Sequence, residues 1–251
     1  MSLTHLLEGG REQLHGQTDV RLVRYVQELL ASGFPALRSL SGRARGFQLD
    51  SYLRNAVDRD VPEQGLAVRR PDALMAWLRA YAAAASSTGG YSQILDAATP
   101  GQADKPARST SDAYRRVLES LWLLDPVPAW ELGGSQFTRL GRSPKRHLAD
   151  PALAACLLAL NEAKLLGTGG GPVGPEGRAV LGSMFESLAT LCIRVTAQAA
   201  EADVGHLRTR DGDHEVDLVV IREDGDVLAI EVKAAGAADD GDAKHLQWLR
   251  R

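Results

Sequence analysis

Residues 211–233 have the sequence DGDHEVDLVVIREDGDVLAIEVK, and they predict the sheet around which the chain is organised. Two apolar, β-branched runs, Glu215–Ile221 and Val227–Ala234, flank an Asp-Gly dipeptide at 224–225. Asp-Gly between such runs is the strongest short-range hairpin signal. A second Asp-Gly lies upstream and predicts that His206–Arg210 joins the same antiparallel meander.

Charged side chains interrupt this apolar stretch. Asp217 lies inside one predicted strand, and Glu231 and Lys233 lie near the end of the next. A carboxylate in an apolar strand is costly unless it is paired, hydrogen-bonded or bound to metal. Side chains alternate along a strand, so Glu231 and Lys233 project from one face, and the hairpin can bring Asp217 beside them. We expect two carboxylates and an ammonium to converge at the sheet.

This set of groups suits metal-assisted hydrolysis of a phosphodiester. Carboxylate oxygens bind Mg²⁺, and a bound Mg²⁺ or Mn²⁺ ion orients a water molecule and lowers its pKa. A lysine can stabilise the developing anion or help to deprotonate the water. The alternative is a solvated sheet edge, because Glu-x-Lys at a strand end is common on exposed edges.

Composition indicates a globular chain with more than one core. The chain has 251 residues, 44% of them hydrophobic, and a formal net charge of −3. This charge excludes a uniformly basic nucleic-acid-binding protein but leaves local basic patches open. Cys156 and Cys192 lie in apolar segments and indicate buried thiols in a reducing compartment. We find no signal-peptide pattern and no apolar run of membrane-spanning length, so we expect a cytoplasmic protein without a membrane partner.

Periodicity and turn residues divide the chain into four predicted parts with a mixed α+β or α/β fold. Residues 1–70 are a helical region, 71–148 a winged helix-turn-helix, 149–177 a helix with a Gly/Pro-rich linker, and 178–251 an α/β domain around the hairpin. The linker lacks the Lys-Ser/Thr of a phosphate-binding loop. We therefore expect no nucleotide site and no ATP hydrolysis from this chain alone.

The second part has the element order of a winged helix. Predicted helices Ala73–Ala85, Tyr91–Ala98 and Asp112–Leu124 precede two predicted strands, Val127–Trp130 and Arg139–Leu148. Basic residues cluster before and within the third helix and in the wing, where DNA phosphates would be held. These candidate DNA-binding residues are Lys105, Arg108, Arg115, Arg116, Arg139, Arg142, Lys145 and Arg146. The alternative is a winged helix that binds protein and leaves these charges solvated.

A strongly periodic helix, Arg178–Ala199, precedes the hairpin and carries Glu186 at the flank of its apolar stripe. A glutamate there is usually solvent-exposed, but this one can also lean over the sheet. The order of these elements resembles the restriction-endonuclease-like PD-(D/E)xK fold. A helix with a glutamate comes first, followed by a strand with Asp217, a strand with Glu231-x-Lys233 and a further helix.

Further landmarks resemble a large prokaryotic family of AAA-type ATPases that carry the domain of unknown function 4143. The similar stretches are 46–60 (GFQLDSYLRNAVDRD), 143–155 (SPKRHLADPALAA), 182–186 (GSMFE), 215–219 (EVDLV) and 230–233 (IEVK). The resemblance covers most of the chain. It implies a winged helix followed by a PD-(D/E)xK nuclease-like domain, which the residue patterns indicate independently.

The chain departs from that family in three places. Family members carry an ATPase core ahead of the region that begins here, and we expect this chain to lack it. The polar loop Pro100–Ser109 is longer than the turn of a compact helix-turn-helix. The chain ends at Arg251, within the predicted helix Asp242–Arg250, where the nuclease-like fold usually adds a further strand. This leaves open whether the last domain is truncated.

Two functional hypotheses follow. In the first, the chain is a DNA-associated module of an AAA-type ATPase family and cleaves phosphodiesters with Mg²⁺ or Mn²⁺. Asp217 and Glu231 then hold the metal, Glu186 supports it or a second ion, and Lys233 stabilises the phosphate or activates water. In the second, the nuclease-like fold is catalytically silent and binds DNA or a protein such as an ATPase domain, because a fold can persist after its chemistry is lost.

Overall fold

The structure is a computed structural model that describes residues 2–10, 18–98, 107–130, 143–167, 174–209, 212–237 and 239–250. It confirms a mixed α+β protein, in which helices surround a three-stranded sheet. The helices are α1 (Leu3–Leu7), α2 (Leu22–Ala31), α3 (Pro35–Arg38), α4 (Gly42–Asn55, continued by a π-helical turn at Ala56–Asp60), α5 (Val61–Glu63), α6 (Pro71–Ala83), α7 (Tyr91–Ala98), α8 (Arg108–Ser120), α9 (Pro151–Leu157), α10 (Glu162–Leu166), α11 (Pro175–Ala199) and α12 (Lys244–Leu249).

The main hydrophobic core lies between the helices before residue 167 and the first half of α11. Trp77 and Tyr81 of α6 are fully buried and stack with their ring centroids 5.4 Å apart. Leu118 of α8 and Leu153 of α9 belong to the same buried cluster. The indole N–H of Trp77 donates to Ser111 Oγ at 2.7 Å, which satisfies a polar group that would otherwise be costly to bury.

The segment after Asp150 forms two helices where the sequence predicts a single helix from Ala152 to Leu165. Asp150 caps α9 by accepting the N–H of Ala152 at 2.8 Å. The first helix then ends, and Ala159 has a left-handed φ of 49°. Asn161 caps α10 through the N–H of Lys164, at 2.9 Å. An asparagine that can start a new helix competes with continuation of the old one.

The sheet consists of β1 (Ala202–Arg208), β2 (Glu215–Arg222) and β3 (Val227–Ile230) in the order β1-β2-β3, and both pairs are antiparallel. The predicted Asp-Gly turn joins β2 to β3, with Gly225 at a φ of 96° that suits glycine. β1 begins four residues earlier than the predicted strand at His206.

The third strand ends at Ile230, not at Ala234 as predicted. Beyond that point the N–H of Val232 donates to Asp217 Oδ2 at 2.9 Å. A side-chain carboxylate therefore takes an N–H that the strand ladder would otherwise use, and Glu231, Val232 and Lys233 follow the strand without regular secondary structure.

A short segment connects the helical part to the sheet. Val127 forms an antiparallel bridge with Lys145, and Ala129 forms a parallel bridge with His206 of β1. Helices α6, α7 and α8 followed by this antiparallel pair have the element order of the predicted winged helix. Residues 131–142, which include the predicted wing turn, lie outside the described residues.

Within the part of the chain that the structure describes, one helix, α11, is long and apolar enough to cross a membrane by length and composition alone. It packs along β1 and against α2, α9 and α10. The core helix of a globular protein passes the same test, so this property is weak support for a membrane span.

Candidate functional site

The candidate site lies where α11 and the segment 143–148 meet β2. A bulge places Asp217 in this site. Gly205 pairs with Val219 and Leu207 pairs with Val216, so His206 lies opposite two residues of β2, Asp217 and Leu218. Bulges re-aim side chains and are common beside functional sites.

The Lys145 ammonium lies at the centre of the site. Its Nζ is 2.8 Å from Glu186 Oε1 of α11, 3.0 Å from Asp217 Oδ1 and 3.4 Å from Glu215 Oε1 of β2. The Lys145 side chain is 1% exposed, and those of Glu186 and Asp217 are 15% and 14% exposed. A buried cation is tolerated when carboxylates pair with it, and removal of either partner is then destabilising.

Glu231 lies on the other side of Asp217. Its side chain is 8% exposed, and its Oε2 lies 3.6 Å from the Nζ of Lys233. Its Oε1 is buried and accepts no hydrogen bond from the described residues. The Glu231 carboxyl also shares a side-chain hydrogen bond with Asp217, so a proton between the two groups offsets the cost of burying them together.

The pKa values of these groups follow from burial and from one another. Burial raises the pKa of Glu186 to about 7, against the opposing effect of Lys145. Burial and the neighbouring Asp217 raise the pKa of Glu231 to about 7. For Asp217 the Lys145 charge and the Val232 N–H outweigh burial and lower the pKa.

Lys145 remains protonated in this setting. Burial alone lowers the pKa of a lysine, but the summed attraction of Glu186, Asp217 and Glu215 raises it above its usual value. At neutral pH the site therefore holds an ammonium and an ionised Asp217, and burial favours the protonated form of the two glutamates with raised pKa values.

The structure brings three of the four predicted catalytic residues close to one another. Glu186 and Asp217 share the Lys145 ammonium, and Glu231 is the neighbour of Asp217. Lys233 contacts Glu231 but is 44% exposed, so its ammonium lies at the solvent-facing rim.

The predicted DNA-binding residues are divided between several environments. Arg108 and Arg116 are exposed on α8. Arg115 lies with its guanidinium carbon 5.0 Å from the centre of the Tyr91 ring and 3.6 Å from Glu119 through Nη1. The residues outside the described ranges are Lys105, Arg139 and Arg142.

Lys145 and Arg146, placed by the sequence on a DNA-contacting wing, are fully buried. The Arg146 guanidinium donates to the carbonyl oxygens of Ser87 and Gly89, and its carbon lies 4.6 Å from the centre of the Tyr91 ring. Both cations are committed to internal partners and do not lie on a surface that a phosphate could reach.

Sequence reasoning missed the role of Lys145 and the presence of Glu215. Glu215 stands two residues before Asp217, and the alternation of a strand places both on one face, so this residue could have been found. Lys145 is 41 residues from Glu186 and 72 from Asp217, and no local pattern links them.

The described residues contain no group of three or more His, Cys, Asp or Glu side chains arranged to hold a metal ion. Lys145 lies between Glu186 and Asp217 and leaves Asp217 and Glu231 as the adjacent pair. This pair still fits a magnesium ion, which usually binds one or two protein carboxylates and keeps several waters or substrate oxygens. The unpartnered Glu231 Oε1 supplies a ligand atom.

Two family models match the chain. One, described as a domain of unknown function (DUF8612), matches residues 23–164, which is more than half of the chain. The other, a domain of unknown function (DUF4143), matches residues 181–251. No curated protein and no solved structure gives a match.

The matches correct the extent of the family resemblance. The landmarks at 46–60 and 143–155 fall within the first match, so the DUF4143 likeness is confined to the C-terminal part. Lys145 belongs to the first matched region, whereas its carboxylate partners belong to the second. The chain is a member of the DUF8612 family and has a DUF4143 region at its C-terminal end.

Proposed function

We propose that this chain is a DNA-associated module whose C-terminal region cleaves phosphodiesters with a divalent metal ion bound by Asp217 and Glu231. The observation that carries the proposal is that the Glu231 carboxyl is buried directly beside the Asp217 carboxyl, so that both can bind one metal ion. DUF4143 is found in AAA-ATPase-associated proteins, which supports a role beside an ATPase. The proposal assigns a winged helix and a PD-(D/E)xK fold to this chain.

Each residue has a distinct task in this proposal. A bound Mg²⁺ or Mn²⁺ ion would supply an activated water and neutralise phosphate charge. Asp217 is held for that role by the Val232 N–H, and Glu231 would supply the second carboxylate ligand once the proton it shares with Asp217 is displaced. Lys233 is exposed at the rim beside Glu231, where its ammonium can bind an incoming phosphate. Glu186 acts indirectly, because it holds Lys145.

The test of the site is metal titration with matched isosteric variants. Mn²⁺ and Mg²⁺ are titrated calorimetrically into the wild type, Asp217→Asn and Glu231→Gln, and nicking of supercoiled plasmid is assayed for the same proteins. We expect metal binding and nicking in the wild type and loss of both in each variant. Equal metal binding by all three proteins would overturn this assignment.

DNA association is assigned to the exposed arginines of α8. Arg108 and Arg116 are free of the internal contacts that hold Arg146, and basic residues around such a helix hold phosphates. In an anisotropy assay, Arg108→Ala/Arg116→Ala should weaken DNA binding and reduce the salt slope by about 2. Arg54→Ala, which changes an exposed arginine on α4, is the control and should leave both unchanged. Equal binding by all three proteins would contradict a role for α8.

The second candidate is a catalytically silent module that binds DNA or a partner protein. The specific observation in its favour is that the Lys145 ammonium lies between Glu186 and Asp217, in the position where these two carboxylates would otherwise bind a metal ion. DNA binding without metal binding or nicking by the wild type would favour this candidate.

A further inference from the structure

The carboxylates of the site form two groups, here called halves, that share Asp217. One half surrounds the Lys145 ammonium, and the other contains Glu231. Its Oδ1 accepts from the Lys145 ammonium at 3.0 Å, and its Oδ2 accepts from the Val232 N–H at 2.9 Å, next to Glu231. A pair of neighbouring cation positions is also the arrangement of two-metal sites that act on phosphate esters. In this chain the two halves differ, because one contains the Lys145 ammonium among carboxylates and the other contains the adjacent carboxyl groups of Asp217 and Glu231.

The half around Lys145 is already filled. The ammonium is within 3.4 Å of three carboxylates, from Glu186, Asp217 and Glu215, and the lysine side chain is 1% exposed. Its position between α11 and β2 is fixed from behind by the bridge between Lys145 and Val127. A metal ion could enter this half only if the ammonium left three buried or half-buried carboxylates.

We propose that the Lys145 ammonium takes the place of a second divalent cation, so that the site binds one metal ion, at Asp217 and Glu231, rather than two. This inference rests on the proposed function for the metal ion itself. It gives Glu186 a new role, because Glu186 pairs with the ammonium of Lys145, which is part of the chain, and does not bind a metal. It also makes Lys145 a positioning residue of the site, contributed by the DUF8612 region.

Chemistry favours an ammonium in this position. Lysine has three donors, and here three carboxylates lie within 4 Å of its Nζ. The ammonium carries one positive charge where a divalent ion carries two, so the filled half stays net negative. A net negative surrounding strengthens cation binding in the half that contains Glu231.

The test counts bound Mn²⁺ ions by calorimetry and electron paramagnetic resonance in the wild type and in Lys145→Met. We expect one isolated Mn²⁺ ion per wild-type chain and two spin-coupled ions per Lys145→Met chain. Lys145→Arg keeps the charge and should keep the count at one. One ion or none in Lys145→Met, with one in the wild type, would overturn the inference.

The same counts separate this inference from the proposed function. No ion in the wild type and one in Lys145→Met would end the metal-dependent proposal and retain Lys145 as the built-in cation. No ion in either protein would overturn both.

A second measurement follows Mg²⁺ binding in the wild type and does not depend on the folding of Lys145→Met. A buried lysine ammonium gives a protected ¹H–¹⁵N signal, which can be assigned by its absence in Lys145→Arg. On addition of Mg²⁺ we expect the Lys145 signal to shift and persist. Its disappearance, as the ammonium moves into solvent, would contradict the inference.

Discussion

Lys145 and Arg146 are neighbours in sequence and are equally buried, but they lie in opposite surroundings. Lys145 points to three carboxylates, and their attraction outweighs burial and raises its pKa. Arg146 points to two backbone carbonyl oxygens and the Tyr91 ring, and burial lowers its pKa. A buried cation can therefore be stabilised by charges or by dipoles. Loss of the cation leaves buried charges behind only in the first case.

The largest effect on stability should come from replacing Lys145, the cation that faces carboxylates. Lys145→Met leaves Glu186 and Asp217 buried without a cation, and we expect a loss of about 3 to 5 kcal/mol in the free energy of unfolding. Urea denaturation at pH 7 measures it. A loss below that of Arg146→Met would show that the carboxylates find other partners.

The pH dependence should also distinguish the two sides. The folded-state pKa of Glu186 is raised from 4.5 to about 7, so its stabilising contribution is complete below about pH 4.5 and is lost as the pH rises through 7. Glu186→Gln cannot ionise, and between pH 5 and 8 its stability should rise relative to the wild type by on the order of 3 kcal/mol.

The comparison with wild type at each pH removes the effect of other titrating groups. His147 is one such group, because burial and Lys145 lower its pKa to about 3. Arg146→Met serves as the second reference, since no carboxylate of the described residues forms a salt bridge with that guanidinium. Its stability difference should stay flat over the same range. A flat difference for Glu186→Gln would contradict the raised pKa.

A smaller effect on stability is expected from replacing Arg146, the cation that faces carbonyl oxygens and the Tyr91 ring. Arg146→Met removes hydrogen bonds to the carbonyl oxygens of Ser87 and Gly89 and the contact with Tyr91. No charge is left unpaired, so we expect a loss of about 1 to 3 kcal/mol in the free energy of unfolding. The same urea series measures it, and a loss equal to that of Lys145→Met would remove the distinction between the two sides.

The smallest effect should come from an exposed cation. Arg54 pairs with Asp50 one helical turn away, and the two side chains are 61% and 50% exposed. Exposed pairs of this kind contribute little. Arg54→Ala should not shift the urea midpoint measurably. A clear shift would mean that burial does not determine how much each of these cations contributes to stability.

The sequence predicted those elements whose causes are local. The Asp-Gly turn and the alternating β-branched runs placed β2 correctly to within one residue. Helix α7 has its predicted limits at Tyr91 and Ala98. The single helix expected after Asp150 was wrong, because Asn161 starts a second helix there.

The candidate site could be predicted only in part. The motif spacing named Glu186, Asp217, Glu231 and Lys233, because strand alternation and a leading helix limit where such side chains can lie. The position of Lys145 at the centre of the site was not predicted, because Lys145 reaches the site only through the packing of elements that are far apart in the sequence. For the same reason two adjacent basic residues were assigned to one exposed surface, whereas an extended chain sends them in opposite directions.

The alternation at Lys145 and Arg146 also limits how the length of this segment can change. Its register is fixed by the bridges of Val127 to Lys145 and of Leu124 to Leu148. A deletion of one residue within it would reverse the face toward which each cation projects, so that Lys145 would turn away from its carboxylates or Arg146 away from its carbonyl oxygens. A change of two residues restores the alternation. Insertions and deletions in related chains should therefore occur here in even numbers.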